Sequence, residues 1–112
     1  MSNKTIVYIA HPIGGDIDAN LAELARILRK INLSEEHRYI VPVAPYYADI
    51  IALNDNNPLE RKRGIDNDTE LLKSGLFKEL WLTGDKISFG MTEEIKVAVL
   101  NGIKVVDYIN KF

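Results

Sequence analysis

The sequence predicts an α/β domain in three layers, with a mostly parallel β-sheet of four to five strands flanked by helices. Two observations carry this expectation. Ile6-Val7-Tyr8-Ile9-Ala10 runs without alternating polar positions, as a strand does when both faces of its sheet are covered. After it the period changes: Leu21, Leu24, Ala25, Leu28 and Ile31 recur at spacings of three and four, the stripe of an amphipathic helix. Strand and helix then alternate along the chain, which calls for right-handed crossovers and a parallel sheet.

The first helix is expected from Asp18 to Ile31, capped by Asp16 or Asp18. Tyr39-Ile40-Val41-Pro42-Val43 reads as a second strand, short or at an edge because Pro42 cannot donate a ladder hydrogen bond. Tyr46 to Leu53 follows as a helix and ends at the turn formers Asn54-Asp55-Asn56-Asn57-Pro58. Glu60 to Lys73 is expected to hold one or two helical turns interrupted near Gly64, with Asp66 or Asp68 as a cap. Leu76 to Leu82 ends in a third strand, Met91 to Leu100 forms a helix stopped by Asn101-Gly102, and Ile103 to Tyr108 is a fourth strand.

Composition narrows the function classes. The 112 residues are 46% hydrophobic, enough for one domain with its own core, so residues 1–112 are expected to form a single domain. The chain has no cysteine, which removes disulfides, thiolate nucleophiles and thiol-ligated zinc, and fits a reducing, cytoplasmic setting. Met1 to Lys4 lead directly into the first strand and are expected to carry no signal peptide, and no apolar run approaches a membrane span. With a net charge of -2, and with Arg61-Lys62-Arg63 set among acids as a solvated helix face, neither nucleic acid nor membrane is an expected partner.

In a parallel α/β sheet, ligands bind beyond the carboxyl ends of the strands. Those ends are His11 to Asp16, Val43 to Tyr47 and Thr83 to Gly90. In the first of these loops His11, Pro12, Ile13, Gly14 and Gly15 are the candidate ligand contacts. The glycine pair permits unusual backbone conformations and leaves amides bare near a helix N-terminus. A plain strand-to-helix turn would use the same residues, since neither GxGxxG nor GxxxxGK[ST] is present. In the last loop and the helix after it, Asp85, Ser88, Gly90 and Met91 complete the candidate binding set.

The first turn of that helix carries Glu93 and Glu94. Met91, Ile95, Ala98 and Val99 mark its buried face, and at about 100° per residue Glu94 borders this face while Glu93 turns to solvent. Tyr8, a phenol in an apolar strand, needs a buried partner for its hydroxyl, and Glu94 is suited to the role. Asp66 or Asp68 could join Glu94 across the cleft. Two carboxylates at one glycosidic bond supply a nucleophile and a proton carrier. His37 lies in a connection and offers His11 no paired metal motif, so neither a metal nor a cofactor is expected.

YIAHPIGG at Tyr8–Gly15, Asn20, Asp68 before Leu71-Leu72, ELWLTGD, and GMTEEIKVA followed by GIKVV occur in that order. Together they resemble the nucleoside 2-deoxyribosyltransferase-like superfamily, over Lys4 to Tyr108. The similarity is strongest to a small uncharacterised branch with a YIAHP start and a GMxxEI signature, related to 2'-deoxynucleoside 5'-phosphate N-hydrolases. The resemblance implies a Rossmann-like (flavodoxin-like) fold and a G-x-x-x-E-[IL]-x-x-A pattern at Gly90, Glu94, Ile95 and Ala98, with Glu94 as the nucleophile. It further implies that Tyr8 orients Glu94, that Asp68 is the catalytic aspartate, and that Gly14-Gly15 sit at the sugar or its 5' phosphate.

No arginine stands in this glycine loop, where the phosphate-specific hydrolases carry one, and His11-Pro12 replaces a small residue. Two expectations therefore stand side by side: an N-glycosidic hydrolase or transferase acting on a small nucleoside or nucleotide, and a non-catalytic module that senses or sequesters such a ligand. A homodimer or higher homo-oligomer with shared sites is the further expectation, with Tyr46-Tyr47 as exposed aromatic surface for pairing.

Overall fold

The computed structural model describes residues 3–112; of Met1 to Lys4, read above as leading into the first strand, Met1 and Ser2 lie outside the described residues. The elements run β1 (Thr5–Ala10), α1 (Ile17–Leu33), a 3₁₀ turn (Glu35–His37), β2 (Ile40–Val43), α2 (Pro45–Ala52), α3 (Pro58–Lys73), β3 (Glu79–Leu82), α4 (Phe89–Leu100) and β4 (Lys104–Asp107). The four strands form an all-parallel sheet in the order β2-β1-β3-β4. The expected α/β, Rossmann-like arrangement is therefore the one observed. β2, with Pro42, is at an edge, where the missing N–H costs no ladder bond.

β1 is central and Val7, Tyr8, Ile9 and Ala10 are fully buried, which explains the unbroken apolar run. Side chains alternate between faces along a strand. On one face Tyr8 meets Tyr46 of α2 and Phe77, with ring centroids 6.0 and 5.3 Å apart. On the other, Trp81, in register with Ile9, packs on Tyr108 at 4.4 Å and on His37 at 5.3 Å. Phe112 closes that cluster. Its backbone oxygen accepts a 2.8 Å hydrogen bond from Arg26 of α1. His37, in the connection as expected, is thus a packing residue.

Three helices differ from the sequence reading. Asp16 caps α1 by accepting from the Ala19 N–H at 3.1 Å, but the buried stripe is Leu24, Ile27 and Ile31, with Ala25 exposed. The sheet selects the larger Ile27, whose burial is worth about 2 kcal/mol, from a stripe that could be drawn either way. In α4 Met91 and Ala98 are buried, whereas Val99 is 63% exposed. The helix begins two residues early because the Ser88 hydroxyl accepts from the Met91 N–H at 3.2 Å, an N-cap interaction.

The largest difference is α3, continuous over Pro58–Lys73 with Gly64 inside it. Its cap is Asn57, whose side chain accepts from the Leu59 and Glu60 N–H groups, and Pro58 sits in the first turn, where no N–H is needed. Asp66 and Asp68 cap nothing: Asp66 pairs with Lys62 at 2.7 Å in solvent, and Asp68 faces inward. Gly64 is buried because α2 lies against it. A Cβ there would stand 3.4 Å from Cβ of Asp49 and 3.7 Å from Leu53. Gly64→Leu should therefore wedge α2 from α3 and destabilise the fold by about 1–3 kcal/mol, read as a lower urea midpoint.

The Tyr46-Tyr47 expectation is also corrected. Tyr46 is 7% exposed and its hydroxyl donates to the Ile9 carbonyl at 2.7 Å; Tyr47 is half-buried against the core. Neither offers a free aromatic surface, because Pro45 starts α2 so close to the sheet that its first turn is drawn into the core. Among the described residues no helix is long and apolar enough to cross a membrane.

Candidate functional site

β1 and β3 are adjacent, so the loops that leave their carboxyl ends meet on one rim. Thr83 joins them: its N–H and its hydroxyl both donate to the Ala10 carbonyl, at 2.9 and 2.8 Å. Gly84 follows with φ 91°, and a Cβ there would fall 2.7 Å from Pro12 Cδ. Only glycine allows the two loops to approach this closely. On the other side Gly15 turns the chain into α1 with φ 86°, and Asn20 donates to the Ile13 and Gly14 carbonyls, both at 2.9 Å.

Between this rim and helices α2, α3 and α4 lies a cavity of about 500 Å³, a size suited to a small organic ligand. From the first loop His11, Ile13 and Gly14 reach it, and from the third loop and α4 Ser88, Gly90, Met91 and Glu94. Asp68 enters from α3. Tyr8 lies beneath, fully buried, and its hydroxyl donates to Glu94 Oε2. Glu93, expected in solvent, is partly exposed, pairs with Lys96 at 3.3 Å and touches the outer edge of the cavity. Arg61, exposed as expected, also reaches that edge.

Pro12, Gly15 and Asp85 are not part of this cavity. Pro12 is buried under Gly84, and Gly15 is used by the turn. Asp85 lines a second cavity of about 350 Å³ with Asn20 and Arg26. The left-handed turn at Gly84 sends the chain toward α1 and carries Asp85 away from Glu94. His11 touches both cavities. It is 5% exposed; its Nδ1–H donates to the Pro12 carbonyl at 2.6 Å, and Nε2 is buried without a partner among the described residues.

The electrostatics set the two carboxyls apart from ordinary acids. Burial raises Glu94 to about 7, against the opposing pull of the Tyr8 hydrogen bond. Burial, then the neighbouring Asp49 carboxyl, then Glu94 raise Asp68 to about 8. Tyr8 and Tyr46 are pushed well above the usual phenol range, first by burial and then by the Glu94 and Asp68 charges, so both are neutral donors. Carboxyls poised near neutrality in a cleft are characteristic of sites that move protons.

The chain belongs to the DUF7768 family. That family is described only as a domain of unknown function, and its model matches residues 5–108, the span from β1 to the residue after β4. No curated protein matches the chain.

One residue of this DUF7768 site escaped the sequence reading. Asp49 lines the cavity from α2. Its signal was the spacing: Tyr46, Asp49, Ile50 and Leu53 share one helix face at i, i+3, i+4 and i+7, and all four line the cavity. A carboxylate on an otherwise apolar stripe is the feature that marked it.

Tyr8→Phe isolates the hydrogen bond, since the ring contacts with Tyr46 and Phe77 remain. Without the donor that lowers it, the Glu94 carboxyl should titrate at higher pH than in the parent protein. A ¹³C-NMR titration of the glutamate carboxyls reads this directly, and an unchanged Glu94 curve would contradict the assigned pairing.

Proposed function

We propose that this protein cleaves or transfers the N-glycosidic bond of a small (deoxy)nucleoside or nucleotide. The observation that carries the reading is Glu94, held from below by the Tyr8 hydroxyl and sharing a cavity with the inward-facing Asp68. The ordered resemblance to nucleoside 2-deoxyribosyltransferase-like proteins supports it.

In the proposed reaction a Glu94 carboxylate oxygen attacks the anomeric carbon and the C–N bond breaks with its electron pair going to the base. Asp68 gives its proton to that base and becomes a carboxylate. Water, or a second base, then attacks the anomeric carbon from the vacated side, loses a proton to Asp68, and frees the Glu94 carboxylate. Tyr8 holds one Glu94 oxygen so that the other is aimed at the sugar. His11, Ile13 and Gly14 border the ligand, with Ser88, Gly90 and Met91 opposite.

A homodimer or higher homo-oligomer with shared sites belongs to the same proposal. Phe89 and Ile65 line the cavity yet are 77% and 52% exposed, an apolar mouth that a second copy would cover; sedimentation gives the oligomeric state. A cytoplasmic place of action is proposed from the absence of cysteine.

A second reading rests on His11, whose buried Nε2 lacks a partner among the described residues, and on the glycine loop without an arginine: a module that binds a nucleotide-derived ligand without turnover. One experiment separates the two. The protein is incubated with deoxynucleosides, ribonucleosides and their 5' monophosphates, with and without an acceptor base, and free or exchanged base is followed by chromatography alongside calorimetric binding. Base release or exchange supports the enzyme; tight binding without release supports the module; neither release nor binding overturns both.

A further inference from the structure

The close packing of α2 on α3 places a third carboxylate where the proposed reaction needs one. Gly64 and Asp68 are one turn apart on α3 and so lie on the same helix face. Helical side chains lean toward the N-terminus, so Asp68 leans back over Gly64, where no side chain fills the space. The point where a Gly64 Cβ would stand is 3.4 Å from Asp49 Cβ and 3.7 Å from Asp49 Cγ. Asp49 and Asp68 both line the cavity, and Asp68 Oδ1 is buried with no hydrogen-bond partner among the described residues.

We propose that Asp49 and Asp68 form a carboxyl pair across the bare surface of Gly64, sharing one proton, and that Asp49 is the positioning residue that keeps this proton on Asp68 until the leaving base takes it. Two carboxyls in contact cannot both ionise cheaply, so one proton is retained between them. This rests on the N-glycosidic reading for its use, but the pair itself is a property of the resting protein.

The pair serves both halves of the proposed reaction. Before bond cleavage it stores the proton in the cavity. When that proton moves to the departing base, Asp68 becomes a carboxylate beside Asp49, and the repulsion makes it a stronger base. It then takes a proton from the attacking water as the water oxygen bonds to the anomeric carbon and the Glu94 oxygen leaves, which returns the pair to one proton. The groups facing the pair are Tyr8 from β1, Tyr46 on the Asp49 helix, and Glu94 from α4. Farther along the cavity lie Asp55, Glu60, Arg61 and Glu93, with His11 on the rim. Asp68 is raised first by burial and then by Asp49 ahead of Glu94, an order of neighbours that agrees with the pairing.

The test reads protonation and turnover separately. Aspartate carboxyls labelled with ¹³C are titrated by NMR in the parent protein, in Asp49→Asn, in Glu94→Gln, and in Asp68→Asn to assign the signal. The expected result is that Asp49→Asn moves the Asp68 titration to lower pH by about one unit or more, with a smaller displacement in Glu94→Gln. An Asp68 curve that does not move in folded Asp49→Asn overturns the pair, whether or not the protein turns over a nucleoside. A curve that moves while no base is released from any substrate keeps the pair and discards the glycosidic reading. Where turnover is found, the alkaline limb of kcat/KM in Asp49→Asn moves down with the Asp68 titration, and Asp49→Glu restores it part-way. A Asp49→Asn variant that loses turnover at every pH, with no displaced limb, would mean that Asp49 acts on the fold alone. If Asp49→Asn does not fold, the parent protein still decides: infrared spectra at neutral pH must show a protonated carboxyl that Asp68→Asn removes, and its absence overturns the proposal.

Discussion

Glu94→Gln is expected to lower base release or exchange by about 10³-fold or more, because an amide oxygen cannot form the glycosyl ester that divides the reaction into two easier steps. The amide still accepts the Tyr8 hydrogen bond, so the cavity should keep its shape. Chromatographic base release and nucleoside binding, measured on the same preparation, check this: binding should persist while release is lost. Release at the parent rate would remove Glu94 from the reaction.

The same substitution should stabilise the protein in alkaline solution. Glu94 is raised to about 7 in the folded state, against about 4.3 for an unperturbed glutamate. The folded protein therefore holds the proton more tightly than the unfolded chain. The stability this contributes is complete below about pH 4 and is lost as the pH rises to about 7, above which the buried charge weighs fully against folding. Glutamine never ionises, so Glu94→Gln should exceed the parent by on the order of 2 kcal/mol at pH 9. The advantage should shrink toward pH 4. Thermal unfolding at pH 5, 7 and 9 reads the divergence as a gap of several degrees that opens with pH.

Asp68→Asn should reduce turnover of ordinary nucleosides by about 10²- to 10⁴-fold, the usual range for a general acid, and in a way that depends on the leaving group. A base that must be protonated to depart will feel the whole loss. A glycoside with an activated aryl leaving group will depart without a proton and recover most of the first step, which Glu94→Gln would not allow. In the parent protein Glu94 is ionised above about 7 and Asp68 protonated below about 8, the states the proposed reaction requires. The kcat/KM profile should accordingly be a narrow bell with its maximum between these values, and Asp68→Asn should lose its alkaline limb. Equal losses for ordinary and activated substrates would mean that Asp68 only shapes the cavity.

These effects would not follow from Glu94 and Asp68 as isolated residues. Each is an acid in a polar stretch of sequence, TEEI in one case and DNDT in the other, where helix caps and solvated charges are the common uses. Periodicity separated Glu94 from Glu93 because Met91 and Ala98 mark the inner face of α4. It could not do the same for Asp68, since α3 carries few apolar residues and its continuity through Gly64 was not readable. Asp49 is marked in the sequence only as one acid on the otherwise apolar stripe of Tyr46, Ile50 and Leu53, and on so short a helix that spacing does not say what the stripe packs against. The burial of Tyr46 is hidden for the same reason, its hydroxyl satisfied by the Ile9 carbonyl of a strand 37 residues earlier.

What the sequence determined by itself is the layered parallel architecture and the rim on which the loops gather; it offered a short or edge strand for β2 and Glu94 as a suitable partner for Tyr8, and the structure has β2 at the edge and the Tyr8–Glu94 hydrogen bond. These depend on local chemistry that strand and helix periods, proline and an apolar-strand phenol express directly. Tertiary structure alone decided that Gly64 is a contact and not a break, that Asp85 turns to the far side of the rim, and that Asp49 stands beside Asp68. The reason is physical: each depends on how closely two backbones approach, at Gly64 against Asp49 and at Gly84 against Pro12, and a missing side chain has no period from which that approach could be read.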